Sequence, residues 1–274
     1  MLRDVNDLKE YAIGATDGHI GVVKDLLFDD DRWVIRYLVV EAGSWLASRR
    51  VLISPMSIHD SSWLARILPV SITKEQVRNS PDIDTNRPVS RQHELEYLGF
   101  YGYPNYWGSY GMWGEGLYPY GLVPGYAGFG ATDDIEGKEE AQAYAAAERA
   151  RHRNENPHLR SCNEVIGYHV HATDGDIGHV AEILVDERTW AVRYLVVDTS
   201  NWWVGHKVLI APQWITGMSW SDQSVSVDLS RDRVKAAPAY ESAGALNRQR
   251  ELGLYEHYGR TGYWTSGVLE DIDP

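Results

Sequence analysis

The chain has 274 residues, enough for two ordinary domains, and its 43% hydrophobic and 24% charged residues exclude a disordered polar chain. A formal net charge of −13, from 39 acids against 26 bases, disfavours direct nucleic-acid binding, which needs clustered Lys and Arg. The single cysteine, Cys162, excludes an intrachain disulfide and a cysteine-built zinc site.

Met1-Leu2-Arg3-Asp4 is not a basic segment leading into an apolar stretch. The most apolar run, Trp33 to Val40, contains Arg36 and is too short to cross a bilayer. A cytoplasmic protein without a transmembrane segment is the expectation. Tyr11-Ala12-Ile13 reads as a strand that turns at Thr16-Asp17-Gly18, since Asp-Gly tolerates positive φ at low cost. Strands are then expected over Ile20 to Phe28, Trp33 to Val40, Val51 to Ile53 and Ile67 to Ile72. Thr73 caps a predicted helical turn that ends before Pro81.

The same stretch occurs again, 157 positions later and without a gap. Ala15-Thr16-Asp17-Gly18, Ile20-Gly21, Trp33, Arg36-Tyr37-Leu38-Val39-Val40 and Val51-Leu52-Ile53 return as Ala172-Thr173-Asp174-Gly175, Ile177-Gly178, Trp190, Arg193-Tyr194-Leu195-Val196-Val197 and Val208-Leu209-Ile210. About 28 of the 76 positions from Asn6 to Pro81 are identical to their partners, far beyond chance self-similarity. The repeat continues into a tail. Arg91-Gln92-x-Glu94-Leu95, Tyr101-Gly102 and Tyr106-Trp107 recur as Arg248-Gln249-x-Glu251-Leu252, Tyr258-Gly259 and Tyr263-Trp264. A tail kept in register is expected to dock on a barrel, its own or the other copy's.

Residues 108 to 130 are rich in Gly and Tyr, with Trp113, Tyr118, Tyr120, Tyr126 and Phe129 as adhesive rings. Residues 138 to 153 read as an Ala/Glu-rich linking helix, acidic toward its start and basic toward its end. The expected organisation is barrel 1 over 1–82, tail 1 over 83–107, linker and helix over 108–160, barrel 2 over 161–239 and tail 2 over 240–274.

Chemistry is sparse. His169 and His171 alternate on one strand, with His179 across the turn, a conceivable metal cluster; the first copy has Ala12, Gly14 and Val22 there. Asp29-Asp30-Asp31 resembles part of a calcium loop but lacks its glycine and closing glutamate, and reads as a solvated turn. Arg36 and Arg193 lie inside apolar strands and need partners, with Asp25/Glu182 or Asp29/Asp186 the obvious ones. Asp17, Gly18, Asp174 and Gly175 read as structural turn residues. No nucleophile elbow, phosphate loop or dinucleotide fingerprint is present, so no catalytic residue, cofactor or resident metal is expected.

The Asp-Gly turn, the following Ile-Gly, the Trp-x-x-Arg-Tyr-Leu-Val-Val strand and the Val-Leu-Ile-x-Pro strand resemble the PRC-barrel domain. This family includes the cytoplasmic barrel of the photosynthetic reaction centre H subunit and the barrel of a ribosome-maturation factor. The resemblance covers about 70 residues twice, and the tail is similar to that of bacterial two-copy members. It implies a mainly β protein: two tandem PRC-like β-barrels, each with a helical and aromatic tail, plus one linking helix. The implied function is non-catalytic protein binding, as an adaptor or scaffold whose partner is another protein or itself. Tyr101, Tyr103, Tyr106, Trp107, Tyr258, Tyr263 and Trp264 are the candidate contact residues. Three alternatives stand beside it. One is an accessory of a membrane or reaction-centre-type complex, peripherally bound. Another is a ribosome-assembly factor, which this charge would restrict to contact through a ribosomal protein. The third is a metal-dependent enzyme using His171.

Overall fold

The computed structural model describes residues 1–59, 65–81, 89, 91–107, 111–113, 116–119, 158–200 and 206–265. The helix expected over 138–153, and Tyr120, Tyr126 and Phe129, lie outside these residues. The described chain is mainly β, with two sheets and a few helices, and it divides into two compact units. One unit holds 5–164 with 185–192; the other holds 1–4, 165–184 and 193–274.

In the first-repeat unit, β2 (Ala12–Ala15) and β3 (Gly18–Asp29) form the expected hairpin, closed by the Ala15–Gly18 pair, with Gly18 at φ 136°. Asp17 does more than favour the turn. Its Oδ1 accepts the Lys74 N–H at 2.8 Å, which tethers the hairpin to the start of α2 (Lys74–Asn79). Thr73 caps that helix through a reciprocal capping box with Gln76. β4 (Val34–Ala42) pairs antiparallel with β3 and with β5 (Arg50–Ile53), while β6 (Ile67–Pro69) runs parallel to β2. The order is β5-β4-β3-β2-β6. β4 is buried at every position except Glu41, as a run that is apolar apart from Arg36 requires of an inner, doubly covered strand.

The second-repeat unit carries β8 (His169–Ala172), β9 (Gly175–Asp186), β10 (Val192–Asp198), β11 (Lys207–Ile210), β12 (Ile215–Ser219) and β13 (Ser224–Val227), ordered β11-β10-β9-β8-β13-β12. Asp174 repeats the tether, accepting the N–H of Arg231 at 2.8 Å at the start of α5 (Arg231–Lys235). Among the described residues the strand pairing does not close either sheet into a barrel.

The sequence did not indicate where each sheet finds its last strand. β2 covers one edge of β3 only as far as Val22, so the edge groups of Leu27–Asp29 need another partner. β7 (Leu159–Ser161), from the start of the second repeat, fills that edge in antiparallel register, Leu27 opposite Ser161 and Asp29 opposite Leu159. β1 (Leu2–Asp4), from the start of the first repeat, pairs with β9. Positions 2–4 and 159–161 are 157-position equivalents, so each repeat's opening strand completes the other repeat's sheet.

The arm around β7 is firmly seated. Leu159 and Cys162 are buried, Arg160 Nε meets Asp30 Oδ2 at 2.9 Å, and the Asp30 N–H donates to the His158 carbonyl at 3.0 Å. Asp25, at a bulge of β3, accepts from the Ser161 hydroxyl and from the Asn163 N–H. Desolvation raises the Asp25 carboxyl above its ordinary range, against the opposing pull of those hydrogen bonds. Burial likewise pushes the Cys162 thiol well up, and the nearby Asp25 charge adds to this. Labelling of Cys162 by a thiol reagent is therefore expected to be roughly a thousandfold slower in the native protein than in denaturant, because thiolate and access are both suppressed. Equal rates would show that the arm is not seated in solution.

Candidate functional site

The tails were the sequence's strongest candidates for function, and the structure shows how they are built. In the first-repeat unit, α3 (Arg91–Tyr101) lies against its own repeat's sheet. Tyr97 pins it: its hydroxyl donates to the Leu52 carbonyl at 3.0 Å and accepts the Ser54 N–H at 3.1 Å, and its ring meets Tyr37 edge-on at 5.0 Å. Burial raises the Tyr97 phenol well above its usual range. One turn earlier, Glu94 is fully buried; it accepts a short hydrogen bond from the Tyr106 hydroxyl and meets His158 Nε2 at 2.9 Å.

Beside this lies Arg36, 1% exposed. Its guanidinium pairs with Asp29 at 3.2 Å, donates to the Met112 carbonyl, and stacks 3.8 Å from the Tyr106 centroid and 4.8 Å from that of Trp113. Of the two partners expected for it, Asp29 is the one used. Desolvation lowers the Arg36 pKa to about 10, so it remains a cation at neutral pH. Trp113, fully buried, donates its indole N–H to the Thr189 carbonyl at 2.8 Å.

The second-repeat unit uses the equivalent residues. Glu251, on α6 (Arg248–Tyr258), accepts from Tyr194 at 2.7 Å and from Tyr263 at 2.9 Å, and pairs with Arg248 at 3.1 Å. Arg193 stacks 3.9 Å over the Tyr263 ring. Thus Arg36/Arg193, Glu94/Glu251 and Tyr106/Tyr263 form one construction, made twice: a strand arginine under a tail tyrosine whose hydroxyl is fixed by a helix glutamate. Burial raises the Tyr194 and Tyr263 phenols, with the Glu251 charge acting in the same direction. Such groups fasten the tail.

Of the rings expected to meet a partner, Tyr103, Tyr106 and Tyr258 are buried, whereas Tyr101, Trp107, Tyr263 and Trp264 are half-buried. Tyr101 stacks on Tyr103 at 5.5 Å, and burial pushes its phenol up to about 12. Tyr106 meets Trp107 edge-on, Tyr258 packs on Trp214 at 4.8 Å, and Trp264 lies edge-on to Tyr255 at 4.9 Å. Among exposed polar residues such as Glu96, Arg250 and Glu256, each tail helix holds one large apolar side chain outward: Phe100 on α3 is 42% exposed and Leu252 on α6 is 43% exposed.

The remaining candidates are dispersed. His169 stands opposite His179 across β8 and β9, while His171 faces Asp176 and pairs with it. Among the described residues, the three-carboxylate group Asp29, Asp30 and Asp31 brings ligand atoms within 4.8 Å of one another, but Asp29 is bonded to Arg36 and Asp30 to Arg160. A cavity of about 320 Å³ in the second-repeat unit is lined by Leu209, Tyr240, Leu246 and Leu254. Its polar groups have protein partners: Glu241 pairs with Arg250 at 2.9 Å, Ser242 accepts the Ala245 N–H, and the Tyr240 hydroxyl donates to Glu182 at 3.2 Å.

Sequence reasoning missed His158, which carried no signal, and the interior placement of Glu94 and Glu251. The recurrence of a glutamate beside aromatic residues in both tails was the clue to the latter. No protein-family model matches the chain, and no curated protein matches it.

Proposed function

We propose that this protein is a non-catalytic protein-interaction module, an adaptor or scaffold built from two PRC-barrel-type domains related by internal duplication. The observation that carries this reading is the construction of the tails. The same titratable positions in each unit lock a helix onto its sheet, and each locked helix holds one large apolar side chain outward, Phe100 or Leu252. Buried, paired carboxylates and phenols make a rigid support, while an exposed apolar residue on a rigid helix suits a contact surface. The contact residues in this reading are Phe100 and Leu252, with the half-buried Trp107 and Trp264 of the same two tails. Among the described residues no helix is long and apolar enough to cross a membrane, so a membrane complex would be met through its proteins or surface.

The test is affinity capture from native cells after mild crosslinking, comparing the wild type with Phe100→Ser and Leu252→Ser. One stoichiometric protein, or a second copy of the chain, is expected, and either substitution should reduce its recovery at least about tenfold without moving the thermal midpoint. Recovery unaffected by both substitutions, or nothing recovered in stoichiometric amount, would overturn the reading. Membrane-complex subunits or a ribosomal protein among the captured chains would decide between the two accessory roles.

A further inference from the structure

We propose that the segment His158–Glu164 is an intermolecular connector, whose strand β7 seats on β3 of a second copy of this chain. The proposal extends the interaction-module reading by naming one partner and the surface that takes it. It rests on a feature of the topology. Residues Leu27–Asp29 of β3 are completed by a strand from outside the first repeat, and β9 is completed by β1 in the same manner. Each arm must therefore leave its own repeat to find its receiving edge, and an identical edge is present on every other copy of the chain. The turn at 185–192 also bonds this sheet, the Ile35 N–H to the Trp190 carbonyl and the Val192 N–H to the Trp33 carbonyl. An exchange that carries the arm and this turn together keeps these bonds, which makes it a low-cost route to association.

The receiving edge is specific rather than a bare strand edge. Besides the ladder, it offers Asp30 to Arg160, Asp25 to Ser161 and the Asn163 N–H, the Lys24 carbonyl to the Asn163 side chain, and Glu94 to His158. It also buries Leu159 and Cys162. A generic edge strand would accept many sequences, but this one reads imidazole, guanidinium, hydroxyl and amide in that order along the arm. Only 38 positions, 120–157, separate Pro119 from His158 in the sequence, and the advantage of in-chain closure falls as such a separation grows. Concentration then decides which copy supplies the arm.

The experiment uses full-length chains carrying Cys162→Val, the residue that the first repeat has at the equivalent Val5. One chain carries Leu27→Cys and another Ser161→Cys, the two positions directly opposed in the β3–β7 register. Mixed at high concentration and oxidised, they are expected to yield a Leu27→Cys–Ser161→Cys disulfide between chains, at least about tenfold above either chain alone. A chain carrying both cysteines should close within itself when dilute. Intrachain closure with no interchain product in the concentrated mixture would overturn the proposal, and so would failure of both.

A second measurement avoids the buried leucine. Chains bearing Asp30→Arg and Arg160→Asp each oppose like charges at their own site, so they should associate with one another on mixing and not with themselves. Absence of that mixed dimer would also overturn the proposal. Neither failure touches capture of a different protein through Phe100 and Leu252, so the two readings fall separately.

Discussion

Arg36→Met is expected to destabilise the first-repeat unit by about 3–5 kcal/mol, the cost of leaving a buried carboxylate without its cation. Methionine fills much of the volume, so little of the loss comes from a cavity. The loss lies in what remains. Asp29, 2% exposed, keeps the N–H groups of Asp31 and Arg32 as donors but loses the guanidinium, and the Met112 carbonyl loses its donor. The Tyr106 and Trp113 faces lose a desolvated cation, worth about 2 kcal/mol at such sites. Arg36→Lys is expected to recover little, because an ammonium cannot pair, donate and stack in one plane.

Adding Asp29→Asn to Arg36→Met removes the stranded charge while keeping an acceptor for the turn. The double variant should therefore be more stable than Arg36→Met alone, with a coupling energy of about 1–3 kcal/mol. Urea unfolding followed by tryptophan fluorescence reads this, fitted with two transitions because the chain has two compact units. For a slope of about 2–3 kcal/mol/M, the midpoint of the affected transition should fall by about 1–2.5 M. A shift below about 0.3 M would mean that the guanidinium is solvated and that the tail is not locked over it.

That arginine was legible in the sequence because a charge inside Val34-Ile35-Arg36-Tyr37-Leu38 demands a partner, and the partner is local, seven positions away. The Asp-Gly turns and the Thr73 cap were legible for the same reason, since a few neighbouring residues determine them. The twofold recurrence marked the tails as ordered. Which way their rings face depends on contacts 40 or more positions apart, such as Tyr97 with Leu52 and Ser54, and no local pattern encodes it. Three-residue strands are too short to show alternation, so Leu2-Arg3-Asp4 and Leu159-Arg160-Ser161 gave no strand signal, though they recur at the same offset. Their exchange between sheets follows from the edge of β3 that β2 leaves uncovered, and that vacancy exists only in three dimensions.

The largest effect of a single added methyl group is expected at Gly21 and Gly178, the glycines of the recurring Ile-Gly pair. A Cβ on Gly21 would lie 1.9 Å from the Glu41 carbonyl oxygen, and one on Gly178 would lie 1.9 Å from that of Asp198. Both obstacles are backbone atoms of the neighbouring strand, so no rotamer change relieves them. The strands must separate or the pairing must slip, and a slip by one residue would turn the buried face of β3 outward. Gly21→Ala should therefore cost about 3 kcal/mol or more. Gly178→Ala should cost more still, because Gly178 sits at φ 125°, where an L side chain adds roughly 1–3 kcal/mol of strain. The controls are Gly99→Ala on α3 and Gly253→Ala on α6, where a Cβ meets nothing within 4 Å. There the change should stabilise by about 0.5–1 kcal/mol through helix propensity alone. Thermal unfolding of the four variants would show two low midpoints and two raised ones. A Gly21→Ala midpoint near the wild type would mean that β3 and β4 do not approach as closely as this fold requires.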